Sequence, residues 1–212
     1  MKLLLMLVFG AISAVSQPFG FGVKGGVPLT DFVSAIDTGT LRFNTAPNRY
    51  IVGPTIELRL PFGFGIEVDA LYRHLQYSST QPVGVVVNDA RTTGDAWEFP
   101  ILAKYRLPTK VVRPYVDGGV AFDALAGLKQ TLTQTVLPTR AVTTTVTSNP
   151  AELNNNATVG VVVGLGVDVH ALILHISPEI RYTRWSTQHL IAPNGLLESN
   201  QNQAEFLVGI TF

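Results

Sequence analysis

The run His175-Ile176-Ser177-Pro178-Glu179 places an imidazole, a hydroxyl and a carboxylate at alternate positions. Successive side chains of an extended strand point to opposite faces, so those three would share one face. A hydroxyl polarised by an imidazole, with a carboxylate orienting the ring, is what nucleophilic hydrolysis needs. A larger set of acids and bases recurs at the same alternate spacing. It comprises Glu57, Glu67, Asp69, Glu98, Asp117, Asp123, Asp168, Glu179 and Glu205, against Lys24, Arg59, Arg73, Lys104, Arg106, Arg113 and Arg181. Nine acids and seven bases are close to balance. Sealed in an interior they make a packed ion-pair network, because an unpaired buried charge is strongly destabilising. A gated or narrow polar conduit is the other use of the same residues. No cofactor is expected. His74, His170 and His189 lie too far apart for ordinary metal-ligand spacing, and the glycines from Gly160 to Gly166 open no helix that would cradle a phosphate.

The elements that must position these residues are strands. Period-2 reading gives eight of them, near 19–28, 49–60, 64–76, 96–107, 112–126, 157–169, 172–184 and 203–212. On one, Trp97, Phe99, Ile101, Ala103, Tyr105 and Leu107 oppose Glu98, Lys104 and Arg106. On another, Val159, Val161, Val163, Leu165, Val167 and Val169 alternate with Gly160, Gly164, Gly166 and Asp168. On every strand the charges between the rims fall on the face opposite the apolar stripe. The connections alternate in length. Pro61-Phe62-Gly63, 108–111 and His170-Ala171 are tight turns, the last setting Val169 opposite Leu172. The connections near 29–48, 77–95, 127–156 and 185–202 are long and rich in Thr, Asn, Ser, Gln and Pro.

Short turns on one side and long loops on the other predict an all-β, eight-stranded antiparallel up-and-down transmembrane barrel, with short periplasmic turns and long extracellular loops. Closure follows from physics: an open sheet edge in hydrocarbon leaves backbone groups unpaired, at several kcal/mol each. Tyr50, Tyr72, Trp97, Tyr105, Tyr182, Trp185 and Phe212 lie near strand ends, where aromatic girdles belong. Pro54, Pro100 and Pro114 are expected near a rim, and Pro178, in mid-strand, at a bulge.

Composition agrees. The chain has 212 residues, 15 basic and 15 acidic, with a formal net charge of zero, so no global field draws it to nucleic acid. It has no cysteine, which excludes disulfides and thiolate chemistry. Residues 1–16 read as a secretory signal peptide: Met1-Lys2, the apolar run Leu3 to Phe9, and Ala14-Val15-Ser16 as the cleavage site. Residues 17–212 are then a single barrel domain.

Four segments carry a family resemblance: Phe21-Gly22-Val23-Lys24-Gly25-Gly26, Arg113-Pro114-Tyr115-Val116-Asp117-Gly118-Gly119-Val120, Glu179-Ile180-Arg181-Tyr182, and the closing Phe206-Leu207-Val208-Gly209-Ile210-Thr211-Phe212. With them the chain resembles the small eight-stranded outer-membrane barrels of Gram-negative bacteria, the OmpA/OmpX-like "porin family" barrel domains. The resemblance implies residence in outer-membrane lipid. It also implies that the barrel-assembly machinery reads Phe206, Val208, Ile210 and Phe212. The peptidoglycan-binding domain of two-domain members is not expected here. His175-Ile176-Ser177 also resembles the His-x-Ser of the lipid A deacylase barrels. However, parity turns it into the lumen, away from acyl chains, and Pro178 stands where that pattern has Asn. The expectation is a monomeric, non-enzymatic barrel with a structural or surface-interaction role and an unknown surface ligand. A narrow porin is the alternative, and a lipid A-modifying enzyme the second. Loop 127–156, with Thr143-Thr144-Thr145-Val146-Thr147 and Asn154-Asn155-Asn156, is expected to be solvated. The stretch Val83 to Val87 is expected to extend strands outward as a hairpin.

Overall fold

The structure, a computed structural model, describes residues 19–35, 42–45, 50–109, 111–171, 174–192 and 197–212. The expected signal peptide, residues 1–16, and its expected cleavage site lie outside these residues.

Eight strands form the wall: β1 (Phe19–Pro28), β2 (Ile51–Arg59), β3 (Phe64–Asp69, continuing as Leu71–Val83), β4 (Val86–Arg106), β5 (Val112–Val136), β6 (Ala157–Ala171), β7 (Leu174–Trp185) and β8 (Asn202–Thr211). Each pairs antiparallel with the next. β1 also pairs with β8, from Gly22↔Thr211 to Pro28↔Glu205, so the sheet closes into a ring of eight strands. Alternation fixes what each face meets. On β6, Val159, Val161, Val163 and Leu165 are exposed on the outer wall, while Val162 and Asp168 are buried. A face this apolar and this extensive is unstable against water and fits hydrocarbon. Phe64 and Tyr105 pack at 5.0 Å near the short-turn end. Tyr50, Tyr72 and Trp97 line up at 6.5 and 5.3 Å near the other.

Several expectations need correction. Trp185 is buried inside the ring against Leu102, Ala121 and Val162, so it belongs to no girdle; the polar-face parity of β7 carries it inward. The β6–β7 connection lies two residues further along the chain than expected, with the same two-residue length. Val169 faces Ile176 and Ala171 faces Leu174, so the turn falls on 172–173, outside the described residues, and Leu172 does not oppose Val169. Pro178 makes no bulge. The β6–β7 ladder lapses between Gly166↔Glu179 and Val169↔Ile176 and resumes in the same register, because proline lacks the one N–H that would pair there. Pro54 acts likewise: Ala70 donates to its carbonyl at 3.0 Å, and β3 is interrupted at Ala70, where no N–H returns.

The largest departure lies above the girdle. Residues 77–95 and much of 127–156 are strand. β3 and β4 run on to Val83↔Val86 around Gly84, as the hairpin expectation had it. β5 continues to Val136 and is joined by Ala141–Thr147, while Arg42–Thr45 pairs with Tyr77–Thr80. The register shifts between Thr93 and Asp95, where Gly127 takes φ +61, as the wall becomes this outer sheet. Thr and Val favour the pleat, but with water on both faces there is no apolar contrast for period-2 reading to detect.

At the seam, glycine is needed for close approach: a Cβ on Gly22 would sit 1.9 Å from the Ile210 carbonyl oxygen, whereas one on Gly25 would come no nearer than 3.6 Å to its neighbours. Gly22→Ala is expected to destabilise the barrel by roughly 1–3 kcal/mol, with Gly25→Ala near neutral. Unfolding midpoints in urea, read by heat-modifiable gel migration, check this; equal midpoints for the two variants would refute the seam argument.

Candidate functional site

The ring's interior is where the alternate acids and bases meet, in three tiers. The middle tier holds three cations and three anions. Lys24, on β1, reaches Glu67, lies 3.3 Å from Asp69 and 3.1 Å from Glu179. Arg181, on β7, spans the same three carboxylates: Nε to Glu179 at 2.7 Å, NH1 to Asp69 at 3.0 Å and NH2 to Glu67 at 3.2 Å. Lys104, on β4, completes the set on Glu67. Arg181 is 0% and Lys24 1% exposed, so these are desolvated charges, stable only because each has several partners. Tyr115, alternate with Asp117 along β5, donates to Glu179 at 3.1 Å, and Lys104 Nζ lies 4.2 Å from the centre of its ring.

In the outer tier, Arg73 bonds Asp123 and Gln203, each at 2.8 Å, and lies 3.6 Å from Glu205. Glu98 is buried in the ring, yet no ion pair joins it to a described residue. Asp117 is also buried, and neither of its oxygens accepts a hydrogen bond. In the short-turn tier, Arg106 is held by Glu57 and by Asp168 at 3.1 Å, while Arg59 lies 4.0 Å from Glu57. Arg113 is outside the network and donates to the Thr109 carbonyl at 3.0 Å.

The hydrolytic constellation is not assembled. His175 Nδ1 bonds Asp168 Oδ1 at 3.0 Å, and its Nε2 faces His170 Nδ1 at 3.0 Å. Glu179 is committed to Arg181, Lys24 and Tyr115. Ser177 is buried in the lumen and bonds neither His175 nor Glu179. Asp168 meets His175 because the β6–β7 register, with Val169 opposite Ile176, brings the two together across the hairpin, a stagger the sequence pattern does not encode. Among the described residues no group of three or more His, Asp or Glu forms a metal site.

The sequence reading missed the closure of the outer mouth. Val33, Tyr77, Leu190, Ala192 and Leu197 form a buried apolar cluster, with Phe32 and Leu153 packed against it. A two-stranded sheet, Val33–Ala35 with Leu197–Ser199, holds it together. Burial in this cluster pushes the Tyr77 phenol up to about 12, so it carries no charge at ordinary pH. The cap is tied to the lumen: His189 stacks on Phe32 and bonds Asp123 at 3.1 Å, and Arg73 lies 4.9 Å from the centre of the Phe32 ring. The signal was present as His189-Leu190-Ile191-Ala192 and Leu196-Leu197, two apolar runs in an otherwise polar connection.

A closed antiparallel ring with an apolar exterior, girdling aromatics and an ionic interior defines an integral membrane β-barrel. More particularly, residues 15–185 match the outer membrane protein beta-barrel domain, and the chain belongs to that family; its place is the outer membrane. Among solved structures it is similar to the outer membrane protein OprG of Pseudomonas aeruginosa, at 11% identity and TM-score 0.48, covering 91% of this chain and 92% of that one. It is similar to Neisserial surface protein A at 12% identity and TM-score 0.41, covering 92% and 96%. Ail, the attachment invasion locus protein of Yersinia pestis, is similar at 7% identity and TM-score 0.35, covering 92% and 100%. No curated protein matches the chain.

Removing one member of the middle tier leaves opposite charges buried without compensation. Arg181→Ala is expected to destabilise the barrel by about 3–5 kcal/mol, whereas Arg59→Ala, at the rim, changes stability by less than about 1 kcal/mol. Urea midpoints of the two variants in the same detergent test this, and a small Arg181→Ala effect would mean the tier is solvated.

Proposed function

We propose that this protein is a monomeric, non-enzymatic outer-membrane barrel, a closed scaffold that presents its extracellular sheet to surface partners. The observation that carries the reading is that the lumen is filled and capped at once. Six mutually paired charges occupy its middle, and the Phe32–Leu190–Leu197 cluster lies over the outer mouth. A conduit needs a continuous wet path, and an eight-stranded ring encloses little more than its own side chains. The hydrolase reading has no polarised serine to stand on. By contrast, the sheet built from 77–93, 129–136 and 141–147 is regular, uncharged along its last strand and outside the membrane. The outward Phe206 and Ile210 on β8, with Val208, and Phe212 just after it stand where the barrel-assembly machinery would read them. The paired interior charges act as packing rather than as a pathway.

Planar-bilayer reconstitution is expected to give no conductance steps, and the lipid A of an expressing strain is expected to be unaltered relative to a strain lacking the protein. Discrete steps abolished by Arg73→Ala or Glu98→Ala would overturn the closed scaffold in favour of a narrow porin. Lipid A deacylation lost in Ser177→Ala would overturn the non-enzymatic reading. Deleting residues 130–148 is expected to keep the heat-modifiable barrel while reducing cell–cell and cell–surface adhesion; unchanged adhesion would remove the sheet from the function.

A further inference from the structure

The short-turn end of the ring holds a cavity of about 670 Å³, lined on its polar side by Arg59, Arg106, Arg113, Asp168 and His175. Asp168 is the one carboxylate in this lining, and it is already engaged by Arg106 at 3.1 Å and His175 at 3.0 Å. Arg106 is further held by Glu57. Arg59 and Arg113 differ. Arg59 Nε makes no hydrogen bond, and its NH2 donates only to the Thr211 hydroxyl at 3.2 Å. Arg113 Nε donates to the Thr109 carbonyl. Arg59 Nε lies 4.0 Å from Glu57, whose carboxylate is already held by Arg106, and Arg113 has no carboxylate within hydrogen-bond reach among the described residues. Two planar forks facing one cavity, with the local acid spent elsewhere, suit a bidentate oxyanion and give a cation nothing to bind.

The apolar part of the lining is Leu60, Phe62, Phe64 and Leu107. Phe62 sits at φ +66 and is 90% exposed. A left-handed backbone is strained for a non-glycine residue, and here it turns an aromatic ring away from the protein at the membrane's edge. The arrangement joins an oxyanion receptor to a membrane-facing apolar lip.

We infer that this periplasmic mouth binds a phosphate group, monoester or diester, between Arg59 and Arg113. The group comes either from an anionic phospholipid headgroup of the inner leaflet, whose chains stay beside Phe62 and Phe64, or from soluble phosphate in the periplasm. The inference stands apart from the surface role proposed above, since it concerns the other end of the barrel.

The test uses the full chain in dodecyl maltoside, which carries no phosphate, titrated calorimetrically with inorganic phosphate and separately with dihexanoyl-phosphatidylglycerol. Sodium chloride at equal ionic strength is the control. Saturable binding is expected, weakened at least tenfold by Arg59→Gln with Arg113→Gln and unchanged by Arg91→Gln on the outer sheet. Lipid binding at least tenfold tighter than inorganic phosphate identifies the headgroup as the source, and equal affinities identify soluble phosphate. Should the double variant lose the compact gel form, Arg113→Gln alone carries the test, with at least a threefold loss expected. Absence of saturable binding by either ligand, or binding unchanged in the folded variants, overturns the inference.

Discussion

The seam between β1 and β8 is the interaction on which everything else rests. Hydrocarbon offers no hydrogen bonds, so two unpaired strand edges would each leave a row of orphan backbone groups at several kcal/mol apiece. Pairing from Gly22↔Thr211 to Pro28↔Glu205 removes both rows at once. That single closure turns a flat alternation into an inside and an outside. Only then do the polar faces of eight strands point at one another, so that Lys24 from β1 can meet Glu67 from β3 and Glu179 from β7. The absence of a side chain at Gly22, where a Cβ would strike the Ile210 carbonyl, belongs to the same requirement.

Closure creates the need that the interior charges answer. The narrow ring excludes bulk water from its middle, so the charges there must neutralise each other within a few ångströms. Lys24, Lys104 and Arg181 do so against Glu67, Asp69 and Glu179: Lys24 and Arg181 each touch all three carboxylates, and Glu67 takes contacts from all three cations. The outer tier extends the logic beyond the wall. Asp123 is shared between Arg73 and His189, and both of these contact Phe32. The cap is therefore anchored by the network it covers. This coupling makes the lumen and the outer mouth one cooperative unit rather than a pore with a separable lid.

Much of this was legible because the membrane imposes strict parity. Residues such as Glu57, Lys104 and Arg181 are on the inner face because a one-residue slip would put them in lipid, and the strand phases could be read without knowing any partner. Two things were not legible. The outer sheet has no such parity: Thr131 to Thr135 and Ala141 to Thr147 meet water on both faces, so alternation carries no signal and only β propensity remains. Pairing inside the lumen depends on the stagger between strands, which parity does not encode. His175 was read with Ser177 and Glu179, its neighbours along β7, yet its partners are Asp168 and His170 across the hairpin. Trp185 looked like an interfacial aromatic by its place near a strand end, and its inward parity was the better guide.

The in-strand prolines show how much disorder in a ladder a closed ring can absorb. Proline is ordinarily confined to sheet edges because it cannot donate, and a closed ring has no edge. What proline leaves behind, however, is an unaccepted carbonyl rather than an orphan N–H, and an under-satisfied carbonyl is the better tolerated of the two. Around Pro178 the register is held on three sides, by Gly166↔Glu179 and Val169↔Ile176 toward β6 and by its own pairing with Val208 toward β8. A slip to recover one bond would exchange Glu179 and Arg181 with Ile180 and Tyr182, moving two charges into hydrocarbon. The charge network therefore fixes the register more firmly than the backbone ladder does, and a missing rung leaves the strand where its ion pairs hold it.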